Sequence, residues 1–187
     1  MSCDLSSGRT LGCRDSIGGI RNVYFVSNGS MGAYTFGTDE ELDAIANIVA
    51  AKKYELDNQS STFDEVINVS EENGTVFYEQ TIVLNFRNLT TADIKELKVI
   101  GQGRFQMFVE DNNLTNDTTA INGRVYLVGA INGATLTAGN IGRGQSYGDQ
   151  NGFSLTFTAR EPRAAYVLEA SSDSDALSGV TNLTTAS

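Results

Sequence analysis

The chain lacks histidine altogether. Its 187 residues also include no tryptophan, one proline and two cysteines. Histidine is the usual general base near neutral pH and the commonest metal ligand, so its absence removes every Ser-His or Cys-His nucleophile pair. The two cysteines, Cys3 and Cys13, are too few for a four-ligand zinc site. Residues 1–12 are polar and lack the apolar run of a secretory signal, so we expect both cysteines to be reduced thiols.

Charge and hydropathy exclude further classes of protein. Thirteen basic and 23 acidic residues give a formal net charge of −10. Nucleic-acid binding through phosphates depends on lysine and arginine, which are in the minority here. No stretch approaches the roughly 18 apolar residues of a membrane-spanning helix. We therefore expect neither phosphate binding nor membrane association.

Alternation of apolar and polar residues predicts a mainly β protein. The 75–86 run is typical of a half-buried strand, because Val76, Ile82, Leu84 and Phe86 share one face. It is joined to the preceding run by Glu72, Asn73 and Gly74, and Asn-Gly is a strong hairpin signal. The sequence predicts strands over residues 20–27, 34–37, 63–69, 75–86, 106–110, 124–128 and 153–158.

Two segments have helical spacing. Residues 91–100 carry Ile94, Leu97 and Ile100, with Asp93 in the first turn and Gly101 at the end, which predicts one helix. Residues 38–51 are ambiguous. Thr38 and Glu41 fit a capping box ahead of apolar residues at helical spacing, which favours a helix over 39–51, but the segment runs into a strand-like stretch at 53–57.

These patterns divide the chain into three parts. Residues 1–16 are polar and predict an N-terminal arm, and residues 17–168 predict a single β-sandwich or barrel with one short α-helix. Residues 169–187 are rich in Ser, Thr and Asp, so we expect a tail that is flexible or ordered by a partner. The glycine-dense stretch 139–144 lacks phosphate-loop spacing and predicts a turn between strands.

No constellation of residues predicts catalysis, a cofactor or a metal. Residues 111–117 resemble the start of a calcium loop, but the sixth and twelfth positions are Asn116 and Asn122 where Gly and Glu are required. The acidic pairs 40–41 and 71–72 suit glycosidase chemistry only if two carboxylates face each other across a cleft. We therefore expect solvated carboxylates and no enzyme.

Several ordered motifs resemble one known family. The first is Cys13-Arg-Asp-Ser-Ile-Gly-Gly-Ile-Arg-Asn-Val-Tyr24, followed by Glu72-Asn-Gly-Thr-Val-Phe-Tyr-Glu-Gln80. Then come Phe108-Val-Glu-Asp-Asn112, Tyr126-Leu-Val-Gly129 and Gly148-Asp-Gln-Asn-Gly-Phe-Ser-Leu-Thr-Phe-Thr158. Over residues 13–168 the chain resembles the tail tube proteins of tailed bacteriophages. A loop lengthened by residues 113–122 and the acidic Ser/Thr tail depart from that family.

The resemblance implies a virion structural protein and no reaction. Subunits of this kind form hexameric rings that stack into a hollow tube, which holds a length-measuring (tape measure) protein and later conducts the genome without binding it specifically. Tail terminator and baseplate or sheath proteins would be further partners. Localisation would be the virion tail after synthesis in the host cytoplasm. The resemblance also favours a strand over the helix at 39–51.

Assembly of this kind gives particular residues an expected role. Unpaired strand edges and extended arms complete their sheets on neighbouring copies, and the hairpin at Glu72, Asn73 and Gly74 is the candidate assembly element. Acidic side chains on a β-lined channel would repel DNA phosphates at short range. By strand position the candidate channel acids are Asp64, Glu65 and Glu79.

Three other functions remain open at this point. The first is a head-decorating or head–tail connector protein of the virion, and a decoration protein would bind a shell and be monomeric or trimeric. A hydrolase with paired carboxylates would need two acids about 5–10 Å apart. A sugar- or cell-binding β-sandwich would show an exposed aromatic cluster and stay monomeric.

Overall fold

A computed structural model describes most of the chain, and every structural statement below concerns that part of it. The described residues are 8, 16–37, 41–57, 60–88, 90–114, 123–147, 149, 151–168, 177 and 181–186.

Eleven strands and one helix make up the fold. In chain order they are β1 (Ile20–Ser27), β2 (Tyr34–Phe36), β3 (Leu42–Glu55), β4 (Thr62–Ser70), β5 (Thr75–Arg87), α1 (Thr91–Gln102), β6 (Arg104–Leu114), β7 (Gly123–Val128), β8 (Ala134–Gly142), β9 (Gly152–Glu161), β10 (Tyr166–Val167) and β11 (Thr181–Ala186).

The strands join into one hydrogen-bonded sheet with the order β11-β3-β1-β6-β8-β9-β5-β4. All pairings of these strands are antiparallel except that of β11 with β3. On one side β6 pairs with β8 only at Arg104 and Phe105, and from Met107 onward it pairs with β7. This change of partner lets the sheet fold over, so that β5 and β9 cover one face of β1 and β6.

The two central strands are buried on both faces. Val23 and Phe25 of β1 lie in a first apolar cluster with Ile82, Leu84 and Phe157, while Tyr24 and Val26 lie in a second one. The second cluster lies on the other side of β1 and β6. Its members from other elements include Leu42, Ile45, Val49, Leu127, Leu168 and Leu177. The fold is therefore the expected β-sandwich with one short helix.

Helix α1 begins at a complete capping box. The Thr90 hydroxyl accepts from the Asp93 amide at 3.3 Å, and Asp93 Oδ2 accepts from the Thr90 amide at 2.7 Å. Leu97 and Ile100 pack against the first apolar cluster. The predicted helix over 91–100 is confirmed, although it continues to Gln102 and ends at Gly103 rather than at Gly101.

The helix predicted from periodicity over 39–51 is wrong, because residues 42–55 form β3. Leu42, Ile45 and Val49 are buried at the spacing of a helix, and an irregularity within the strand accounts for that spacing. The pairing register of β3 shifts between Leu42 and Ala44 opposite β2, and such an irregularity moves the next side chains to the other face. Residues 38–40, which contain the capping-box Thr38, lie outside the described residues.

The glycine-dense stretch and the tail also differ from expectation. Residues 139–142 belong to β8, which pairs with β9 as far as Gly142 opposite Gly152, and the chain turns only afterwards. In the predicted flexible tail, Leu177 is buried and Thr181–Ala186 form β11 against the open edge of β3. Both segments form strands because they pair with a strand from a distant part of the chain. The remainder of 169–187, and the 1–16 arm apart from Gly8 and Ser16, lie outside the described residues.

Candidate assembly surfaces

The hairpin predicted around Asn73-Gly74 is confirmed and extends beyond its sheet. Strand β4 pairs with β5 along its whole length, from Thr62 opposite Val83 to Ser70 opposite Thr75. Strand β9 pairs with β5 only from Arg87 back to Tyr78. We call residues 67–77 the hairpin overhang. Ile67 lies opposite Tyr78, the last residue that pairs with β9, and residues 68–77 continue past the end of β9. At its tip Gly74 has φ 61°, a conformation that glycine adopts without strain.

Both faces of the overhang carry exposed apolar side chains. Ile67, Val69 and Val76 lie on the face that leads into the core, and they are between 51% and 64% exposed. On the other face Phe77 and neighbouring Val66 are exposed as well. A two-stranded hairpin is marginal on its own, and a contiguous exposed apolar patch is typical of an interaction site. The overhang thus has apolar surface that its own fold leaves uncovered.

Gln80 and Glu161 mark the end of the core beneath the overhang. Gln80 Oε1 accepts from the Gly129 amide at 3.0 Å, and its Nε2 donates to Glu65 Oε1 at 2.9 Å. Glu161 Oε1 accepts from the amides of Ile131 and Asn132 at 3.3 and 2.8 Å. Both side chains are buried and bind the turn between β7 and β8. Polar groups at apolar strand positions therefore close the core there.

Burial raises the pKa values of two side chains next to this turn. Desolvation raises the pKa of Glu161, and the backbone hydrogen bonds from residues 131–133 oppose that shift only in part. Desolvation, with the charges of Tyr166 and Glu161, raises the pKa of Tyr34 to about 12. The Tyr34 hydroxyl donates to the Ala130 carbonyl at 2.9 Å. The same turn is thus held by Tyr34, Gln80 and Glu161.

The three candidate channel acids do not share one face. Register places Asp64 and Glu79 on the outer face of the sheet, whereas Glu65 lies on the core side. Glu79 Oε2 pairs with Arg160 Nε at 2.9 Å. Glu65 Oε1 accepts from the Ala165 amide at 2.9 Å in addition to Gln80. The structure therefore brings Asp64 and Glu79 together and assigns Glu65 to the closure of the core.

The outer face around Asp64 and Glu79 is dominated by hydroxyl side chains. Thr158 is the register partner of both Thr81 and Thr135, and its hydroxyl lies 3.1 Å from that of Thr137. We call this surface of β4, β5, β9 and β8 the threonine face. A groove of about 430 Å³ lies over it and is bordered by Glu79, Arg160 and Arg104. Arg160 pairs with Glu79, and Arg104 donates to the Asn132 carbonyl at 3.2 Å, so both guanidinium groups have partners.

The sequence indicated the hairpin but not the residues that close the core. Gln80 interrupts the apolar face of the 75–86 run, and that interruption is the only signal that marked it. Glu161 follows an apolar run and precedes the only proline, which suggested a strand end and nothing more. Gln80 binds a backbone amide 49 residues away, and Glu161 binds amides about 30 residues away in the same turn. No local sequence pattern reveals such distant partners.

Comparison of the chain with protein-family models, with curated proteins and with solved structures finds no match. Within the described ranges, no three acidic or cysteine side chains cluster so as to hold a metal ion. The one helix of this part of the chain is too short and too polar to cross a membrane.

Proposed function

We propose that this chain is a structural subunit of a bacteriophage tail tube, which self-assembles into hexameric rings stacked around a channel. Support comes from the motifs quoted above, from the β-sandwich with one helix, and from the overhang. A chain that projects a hairpin past its own sheet needs a second surface to cover that hairpin. In a stacked assembly the neighbouring copy supplies it.

The uncovered apolar face of the overhang is the observation that carries this proposal. Ile67, Val69 and Val76 continue the core face of the sheet beyond Gln80, where the described residues leave more than half of each side chain exposed. Removing apolar surface from water is favourable by about 25 cal/mol per Å². Covering three such side chains in every subunit therefore favours the assembled state repeatedly along a tube.

The threonine face suits the wall of a passage for DNA. Phosphates are held by lysine and arginine, and the arginines that border this face already have partners. Its hydroxyl groups carry no charge, and Asp64 adds an exposed carboxylate. A polyanion would meet only weak contacts there, because the two acidic and two basic side chains of this face balance in charge, in keeping with genome passage and with a tape measure protein held before ejection.

Size-exclusion chromatography with light scattering, followed by negative-stain microscopy, tests the proposal on the full chain. We expect sixfold rings and long tubes as concentration rises. The variant Val69→Asp places a charge on the overhang and should abolish tubes without changing thermal stability, since surface substitutions cost within about 0.5 kcal/mol.

The matched control is Ile141→Asp, which places the same charge on an equally exposed apolar residue of β8. Control and parent should assemble alike. A parent chain that stays monomeric at high concentration would contradict the proposal, and a trimer that binds capsid shells would favour the head-decorating alternative.

A further inference from the structure

A second surface lies along the free edge of β4, near its beginning. There an open groove of about 500 Å³ runs between Thr62–Glu65 on one side and residues 17–20 on the other. Among the strands that the structure describes, β4 pairs with β5 alone, so its second edge faces this groove. An unpaired strand edge accepts an extended peptide as an additional strand.

The side chains around the groove indicate the chemistry of such a peptide. The rings of Phe63 and Tyr126 meet at a tilt with centroids 5.9 Å apart, which leaves an aromatic surface for an apolar side chain. Three carboxylates, those of Asp64, Glu65 and Asp111, lie along the groove, and no basic side chain of the described residues lines it. An extended segment with an apolar residue and at least one arginine fits this combination.

The segment that precedes the groove residue Ile17 has this composition. Residues 3–14 include Leu5 and Leu11, together with Arg9 and Arg14 against a single aspartate, in a chain whose formal charge is −10. This segment directly precedes Ile17, which lines the groove. Its charge is therefore opposite in sign to that of the groove and of the chain as a whole.

Side-chain hydrogen bonds hold residues 17 and 18 against the end of β6. The Ile17 amide donates to Asn113 Oδ1 at 2.8 Å, and Asn112 Nδ2 donates to the Gly18 carbonyl at 3.1 Å. Residues 17 and 18 therefore continue alongside the end of β6, antiparallel to it. Ile17 is thereby fixed on one side of the groove, and in a self-assembling chain the edge of β4 on the other side is accessible to the N-terminal segment of a neighbouring copy.

We propose that the groove at the free edge of β4 binds the N-terminal segment, residues 3–14, of a neighbouring copy, added as a strand. This inference rests on the proposed self-assembly and specifies one of its contacts. The overhang and the groove would then be separate interfaces, one apolar and one formed by main-chain pairing and charge.

Disulfide formation between two full-length chains tests the contact, because Cys3 and Cys13 are the only cysteines and both lie at this segment. One chain keeps its native cysteines. The second, carrying an affinity tag, has both replaced by serine and receives Thr62→Cys in the groove. A disulfide that includes the tagged chain is then intermolecular, because that chain has a single cysteine, whereas the untagged chain can also join its own Cys3 and Cys13. In the control, the tagged chain carries Asn140→Cys instead of Thr62→Cys. Asn140 is also exposed, and it lies on β8, three strands away from β4.

We expect mild oxidation of co-assembled chains to give a mixed dimer when the tagged chain carries Thr62→Cys. No mixed dimer should form when the tagged chain carries Asn140→Cys. Tubes that form without the Thr62 cross-link, or with equal cross-linking at both positions, would overturn this inference while the proposed function stands. A disulfide formed only within a single chain that carries Thr62→Cys and the native cysteines would overturn it as well. If no assembly occurs at any concentration, the proposed function and this inference both fail.

Discussion

Individual polar residues decide where the core of this protein stops. Gln80 occupies a strand position whose neighbours on the same face, Ile82 and Leu84, are fully buried. A buried amide is tolerated because it is hydrogen bonded at both ends, to the Gly129 amide and to Glu65. Beyond it the described residues leave the apolar side chains of Ile67 and Val76 58% and 51% exposed. Gln80 thus separates the folded core from the surface available for assembly.

Glu161 gives a prediction at the residue scale. Its pKa in the folded protein is raised above the ordinary value of 4.5 by desolvation. The folded state therefore binds this proton more tightly than the unfolded state, and stability due to Glu161 increases as pH falls through the folded-state pKa. Compared with Glu161→Gln, which does not titrate, the wild-type chain should become relatively more stable as pH falls from neutral towards the ordinary pKa value of 4.5.

Urea unfolding of both proteins across that pH range measures the difference. The glutamine can still accept from the Ile131 and Asn132 amides, so the turn keeps its hydrogen bonds. Glu72→Gln at the exposed hairpin tip controls for the loss of one acidic group. A difference that is flat with pH, or that changes in the opposite direction, would contradict a raised pKa at Glu161.

At the scale of elements, helix α1 shows how a local signal fixes structure. The capping box of Thr90 and Asp93 satisfies amides at the start of the helix that have no partner within it. Thr90→Ala removes the hydroxyl acceptor and should lower the free energy of unfolding by about 1 kcal/mol. Thr91→Ala, one residue further on and outside the cap, should have almost no effect. Chemical denaturation of both variants makes the comparison, and equal losses would show that the cap contributes nothing.

Strand β3 shows the opposite case, in which a local signal misleads. Its apolar residues repeat at the spacing of a helix, and only the change of register opposite β2 explains how Leu42 and Ile45 can both be buried in a strand. Its partners β1, β2 and β11 come from three separate parts of the chain. Backbone pairing with them outweighs the helical preference of residues 39–51, since tertiary contacts override propensity.

For the whole molecule, charge opposes association and apolar surface favours it. Copies that each carry a formal charge of −10 repel one another. The range of this repulsion falls from about 8 Å at physiological ionic strength to about 3 Å at 1 M salt. Added sodium chloride should therefore increase the fraction of protein found in tubes by light scattering or sedimentation.

The Val69→Asp variant serves as the reference for this measurement. Without the apolar overhang contact it should remain unassembled across the same salt series, because screening cannot supply the missing contact. Tubes of the parent chain that dissolve as salt is added would show that attraction between unlike charges, rather than apolar contact, holds the assembly together.

The sequence by itself determined the mainly β class, the hairpin at Glu72-Asn73-Gly74 and the helix after Thr90. Each of these depends on neighbours within a few residues: alternation along a strand, a turn dipeptide, a capping pair. Tertiary structure alone decided that β5 continues past β9, that Asp64 and Glu79 share a face which Glu65 does not, and that residues 181–186 pair with β3. These features arise from pairing between distant segments, whose register is fixed only when the sheet closes on its core.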